Sequence, residues 1–289
     1  VWSSLVIWTL LAGCKPVREA PEDLDGVLRD TWSLYVDGDD DDLGVVALAL
    51  AELLADQAEA LQEQATDGTQ SRLTDEDLRH VALFAPPDDD GTWSLPDPAL
   101  ARPIYLATVF NCTREQLEPV LYALDQNAQY EAYDAYERTH TSSLADFRSG
   151  SSPTITWEAE ATASNAATGA YTELLLGGLR RVPMPPLEAD HPLADVLTDP
   201  SFVLARTWIP FPASTERDNV SFDQDYQIEI YLPWGEDRMM HLYGIWRQLS
   251  LGALGDMESD GVARITLNNL ADWDETTERL CAEGAVPVP

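Results

Sequence analysis

The chain has 289 residues, 45% of them hydrophobic, with 51 Asp and Glu against 17 Lys and Arg, a formal net charge of -34. Such an acid excess excludes a binder of nucleic acid, whose phosphates need clustered Lys and Arg, and excludes electrostatic adhesion to anionic lipid. It describes a dense, self-repelling surface around a chain with enough apolar residues to form a core.

The first segment with a message is Leu5–Ala12, which carries no charge. It is far shorter than the ~20 residues that cross a bilayer, but it has the length of a signal-peptide apolar region. The residues that close it, Leu11-Ala12-Gly13-Cys14, resemble the lipobox of bacterial lipoproteins. The resemblance implies a signal peptide over 1–13, cleavage before Cys14, a diacylglyceryl thioether on its sulfur and acylation of the new amine. One acyl chain anchors only marginally, whereas several anchor stably. The expected partner is therefore the membrane, reached through lipidated Cys14. Lys15 resembles the sorting pattern of the outer rather than the inner membrane, which puts the protein in a bacterial cell envelope. The other reading is a buried N-terminal strand or helix that ends by chance at a cysteine. No later run approaches ~18 consecutive apolar residues.

Residues 14–36 read as a tether with a short helix, and 37–100 as a helical N-terminal region. Asp39–Asp42 do not fit a calcium loop, because a loop started at Asp37 puts Leu43 and Val45 on ligand positions and Leu48 at the twelfth. They suit a helix N-terminus, where carboxylates cap free N–H groups and complement the dipole. Leu43, Val46, Ala47, Leu50, Leu54 and Leu61 follow at helical spacing. "PPDDDG" at 86–91 is a loop. A second short helix starts at Thr74, with acids in its first turn and His80 near its end. The Pro-rich stretch that follows sets a domain boundary near residue 100.

Beyond it the periodicity becomes two. Residues 103–110 alternate as a strand. Thr113 and Gln116 then form a capping box ahead of Leu117, Val120, Leu121 and Leu124, with Pro119 breaking the helix. "AQYEAYDAYERTH" reads as a second helix, with Tyr130, Tyr133 and Tyr136 at steps of three. Strands follow at 154–163, 170–182, 202–211, 222–232, 239–251 and 261–267, separated by turn signals that suit an antiparallel meander. A short closing helix has Asn269 as its N-cap and turns Leu270, Trp273, Thr277 and Leu280 inward, with Arg279 and Gly284 at its end.

The fold class is thus α+β, a helical N-terminal region followed at 101–285 by a curved antiparallel sheet of about six or seven strands packed on helices. That element order resembles the START-like, helix-grip superfamily, in which a curved sheet wraps the last helix around a cavity. The resemblance implies a small hydrophobic ligand, with Trp157, Trp208, Tyr226, Met239, His241, Tyr243 and Trp246 lining the cavity. The other reading of these residues is a filled core.

Cys112 and Cys281 are left as an even pair in an exported chain, and a disulfide between them is expected; two buried thiols are the other possibility. None of the four histidines has a partner at metal-ligand spacing. Nucleophile elbows and phosphate or dinucleotide loops are missing too. No metal or cofactor is therefore expected. His140 sits beside hydroxyls and Arg138. His241 shares a strand face with Arg247, and the two either orient an anionic group or meet carboxylates from neighbouring strands. The function these residues suggest is a binding or structural lipoprotein. The alternative is a periplasmic or surface hydrolase or cyclase using His241 or His140 as acid and base.

Overall fold

The computed structural model describes residues 18–57, 64–66, 72–82, 96–131, 133–165, 169–216, 220–250 and 260–284. The signal segment, Cys14 and the 86–91 loop lie outside them.

Helix α1 (Leu24–Asp37) begins at Asp23, whose side chain accepts the Gly26 N–H at 2.7 Å. Its Val27, Leu28, Thr31 and Trp32 form an inward stripe and are buried. The short helix expected within 14–36 is thus α1, and its stripe shares a core with residues of the sheet. Asp39 caps α2 (Asp40–Leu54) by accepting the Asp42 N–H at 2.9 Å, with three acids in the first turn. The spaced residues Leu43, Val46, Ala47, Leu50 and Leu54 are buried as their period requires. The helix expected from Thr74 is a turn that runs into a single helical turn, α3 (Arg79–Ala82). The Asp77 carbonyl of that turn accepts the Trp32 indole N–H at 2.9 Å.

The strands are β1 (Gln64–Thr66), β2 (Arg102–Asn111), β3 (Ala135–His140), β4 (Thr154–Asn165), β5 (Gly169–Pro183), β6 (Ser201–Trp208), β7 (Ala213–Ser214), β8 (Ser221–Trp234) and β9 (Arg238–Ser250). They form one sheet in the order β1-β2-β9-β8-β6-β5-β4-β3, with β7 alongside β8, and every pairing is antiparallel. The α4 helix (Arg114–Leu121) has the expected capping box of Thr113 and Gln116. The α5 helix (Leu144–Ser149) ends at Gly150, whose φ of 76° suits glycine. The chain closes with α6 (Asp260–Glu283).

Two sequence expectations are corrected here. The tyrosine-rich segment is not a helix: Tyr130 and Tyr133 lie in turns, and Tyr136 lies in β3, paired with Ala161 of β4. A step of three between tyrosines fits a helix face, but here it spans a turn and a strand start. Residues 261–267 are not a strand but the first turns of α6, so Asn269 is mid-helix and not a cap. Val262, Ile265 and Thr266 favour strands only weakly, and tertiary context overrides such a preference.

Helices cover both faces of the sheet. On one, α1 and α2 share a core with alternate residues of β6, β8 and β9, including Leu204, Ile228, Ile230 and Leu242. On the other, Trp273 and Cys281 of α6 meet Val203, Tyr231 and Met239. The expected boundary near residue 100 accordingly does not separate two cores. Among the described residues no helix is long and apolar enough to cross a membrane.

Candidate ligand site under the closing helix

Every second side chain of a strand points to the same face. Toward α6, β8 presents Asp225, Gln227, Glu229 and Tyr231, and these pair in register with Arg247, Ile245, Tyr243 and His241 of β9. A polar row therefore runs across a face that a helix covers. The polar groups find one another, as buried polar groups must.

His241, 1% exposed, stands at one end of the row. Its Nδ1 lies 2.8 Å from Asp274 Oδ1 of α6 and its Nε2 lies 3.5 Å from Glu229 Oε2. Thr108 donates its hydroxyl to Asp274 and Tyr231 donates its hydroxyl to Glu229. The Tyr231 ring stacks on the imidazole at 4.2 Å. Burial by itself would lower the imidazole pKa, but Asp274 and then Glu229 outweigh it and hold the value up to about 9. At neutral pH His241 is an imidazolium between two carboxylates, with no lone pair to act as a general base. His140 is half-buried, with Nε2 2.9 Å from the Tyr122 carbonyl, and burial lowers its pKa.

Further along, Tyr243 donates to Gln227 Oε1 at 2.6 Å, Gln227 Nε2 donates to Asp225 at 2.9 Å, and Arg247 Nε donates to Asp225 at 2.7 Å. His241 and Arg247 thus share a face, as expected, and each meets carboxylates. Tyr133 donates its hydroxyl to Glu173 of β5 at 2.8 Å. Burial, with Asp225 adding to it, pushes the Glu173 carboxyl up to about 7.

An aromatic seam joins these groups to β3 and β4. Ring centroids of Tyr130 lie 3.8 Å from Trp273 and 4.8 Å from Tyr136, and Trp273 lies 5.9 Å from Tyr243. The Arg138 guanidinium sits 4.1 Å over the Trp157 ring. The Trp157 indole crosses Gly177, where a β-carbon would stand 2.8 Å from its Nε1 and 2.9 Å from the Arg206 carbonyl. Glycine at 177 is what lets this ring lie against the sheet. Along the seam, four buried polar atoms meet no hydrogen-bond partner among the described residues: Trp157 Nε1, Arg138 Nε, Gln129 Oε1 and Trp273 Nε1. Of the described His, Cys, Asp and Glu residues, no three or more are grouped so as to hold a metal ion.

The expected cavity residues divide between the two faces. Trp157, Met239, His241 and Tyr243 face α6. Trp208, Tyr226 and Trp246 align with one another on the opposite face. There Tyr226 and Trp246 lie 5.7 and 5.9 Å from the Trp32 ring of α1. The Arg206 guanidinium lies 3.8 Å over that same ring and 5.2 Å from Trp208. Those three residues belong to the α1 core and cannot line a space beneath α6. The physical reason is that β6, β8 and β9 are covered by helices on both faces, and β8 and β9 carry large aromatic residues on each, so side-chain size does not tell one face from the other. Cys112 and Cys281 are joined by a disulfide, with Cα atoms 5.6 Å apart.

Arg138, Glu173, Asp225, Gln227, Glu229 and Asp274 were not among the sequence candidates. The β8 stretch "DQDYQIE" does carry a signal, polar residues at 225, 227 and 229, but such alternation reads as a solvent face until a helix is known to cover it.

No protein-family model matches the chain, and no curated protein matches it. Solved structures similar to part of it include a START superfamily protein from Mycobacterium smegmatis, 9% identical, covering 63% of this chain and 97% of that one, TM-score 0.39. A protein from Thermus thermophilus is 10% identical over 64% of this chain and 99% of its own, TM-score 0.41. The lipid transfer and protein localization domain of human StarD13 is 11% identical over 64% and 81%, TM-score 0.38. Likeness at this level carries no argument about ligand or activity.

Proposed function

We propose that this chain is a lipid-anchored binding protein of a bacterial cell envelope, held to the membrane through acylated Cys14 and holding a small, mainly apolar ligand between the sheet and α6. The observation that carries the binding half is the seam of aromatic rings in which four buried polar atoms lack a hydrogen-bond partner among the described residues. Native interiors leave few such atoms, and a concentration of them marks where a ligand or water supplies the missing bonds. A wall of rings with a few polar points suits a ligand that is largely apolar with one polar end. The anchoring half rests on Leu11-Ala12-Gly13-Cys14. The Cys112–Cys281 disulfide supports an exported chain, since such bonds persist in oxidising compartments.

Native mass spectrometry of detergent-extracted protein tests both halves. The expected spectrum shows a polypeptide beginning at acylated Cys14, with a small molecule released on activation. A polypeptide that keeps residues 1–13, unacylated and with nothing bound, overturns the reading.

A further inference from the structure

We propose that the polar end of the ligand is an organic cation, an amine or quaternary ammonium group, seated against Glu173 with Tyr133, Tyr171 and Phe222 as its walls. This rests on the binding reading above and adds the charge of the head group.

Glu173 is 4% exposed, and among the described residues its side chain has one hydrogen bond, from Tyr133. Among the described residues no cation forms an ion pair with it. The nearby guanidinium is already neutralised: Arg247 Nε and Nη2 lie 2.7 and 2.5 Å from Asp225 Oδ2. A buried carboxylate without a counter-charge is costly, and proteins rarely keep one without a use.

Solvent reaches the groups around Glu173: Tyr133 and Tyr171 are half-buried and the Arg247 side chain keeps 19% of its surface. A guest can therefore approach the carboxyl along these side chains. The approach is aromatic: Tyr171 and Phe222 lie 4.7 Å apart, and aromatic faces attract cations most strongly where water is excluded. The net charge of -34 also enriches cations at any opening.

The opposite sign of head group would fall on Arg138. Its Nη1 donates to the Leu121 carbonyl, its Nη2 lies 3.3 Å from the Tyr136 hydroxyl, and its face stacks on Trp157, so Nε is its one nitrogen with no partner among the described residues.

Among the described residues, the titratable groups that interact with Glu173 are Asp225 of β8, Arg247 of β9, Tyr136 of β3, Tyr133 and Tyr171. Burial, then Asp225, raises its carboxyl from 4.5 to about 7, so the free protein takes a proton there and an arriving cation displaces it. Cation binding therefore strengthens as pH rises through 7. The same sign governs stability: a carboxyl raised on folding costs the ligand-free protein stability as pH climbs from 4.5 through 7.

Calorimetric titration at pH 8 in ~150 mM salt, where long-range attraction is screened, compares three six-carbon probes: hexyltrimethylammonium, hexanoate and hexan-1-ol. The cation is expected to bind at least about tenfold more tightly than the alcohol, and to weaken on going to pH 6. Glu173→Gln should collapse that preference. The variant keeps an acceptor for Tyr133, so it should fold, and should melt higher than the parent at pH 8 but not at pH 4.5. Tightest binding of hexanoate, or an undiminished cation preference in Glu173→Gln, overturns the head-group assignment and leaves the binding reading standing. Failure of all three probes to bind removes that reading, and this inference with it.

Discussion

Replacing Cys112 and Cys281 together by alanine is expected to lower the melting temperature by roughly 10–20 °C. The bond joins the end of β2, just before α4, to the last turn of α6 across a separation of 169 residues. Closing a loop of that length removes about 5 kcal/mol of chain entropy from the unfolded state, and each kcal/mol moves the midpoint by about 2–4 °C in a chain near this size. The bond also clamps the end of the helix that covers the candidate site. Losing it should loosen ligand retention as well as stability. Scanning calorimetry of the double variant, and of the parent with reductant, reads the effect directly. A shift of less than about 3 °C, or free thiols in the purified protein, would count against it.

Asp274→Ala should cost about 3–5 kcal/mol, the usual penalty for removing one partner of a buried ion pair and leaving the other charged. Asp274 holds His241 at 2.8 Å and takes the Thr108 hydroxyl, so its loss leaves the imidazole with Glu229 at 3.5 Å alone and the hydroxyl without that acceptor. The pH dependence supplies a second signature. The folded-state pKa of His241 is raised from 6.5 to about 9. Its contribution is therefore complete below about 6.5 and fades as pH rises through about 9. The parent should lose stability across that window, and Asp274→Ala should lose less of it. Urea unfolding at pH 6 and pH 9.5 measures both. A cost below about 1 kcal/mol at pH 6 would mean that the pair contributes little.

Much of the frame could be read from local chemistry. The capping box of Thr113 and Gln116, the acids ahead of Leu43 and the alternation of Ile155, Trp157, Ala159 and Ala161 each act over a few residues, and each was legible. The α+β class, with helices ahead of an antiparallel sheet and one after it, followed from their order. What could not be read depends on distant coverage. Trp246 and Tyr243 are three residues apart and face opposite helices, which only the presence of α1 on one side and α6 on the other decides. Glu229 and Asp225 look solvent-facing in the strand, yet both are buried: Glu229 is linked through His241 to Asp274 of α6, and Asp225 is paired with Arg247. With α6 beginning at Asp260 and not at Asn269, Asp274 is a mid-helix group, and it reaches His241.

The central claim is that the space between α6 and the sheet takes in a molecule from outside the chain. A crystallographic map of protein extracted from its own membranes tests it most directly. The expected map has non-protein density along the seam, with a polar atom within hydrogen-bonding distance of Trp157 Nε1 or Arg138 Nε and one end of the density against Glu173. A map in which side chains alone fill that space, with those atoms bonded to one another, would contradict the claim.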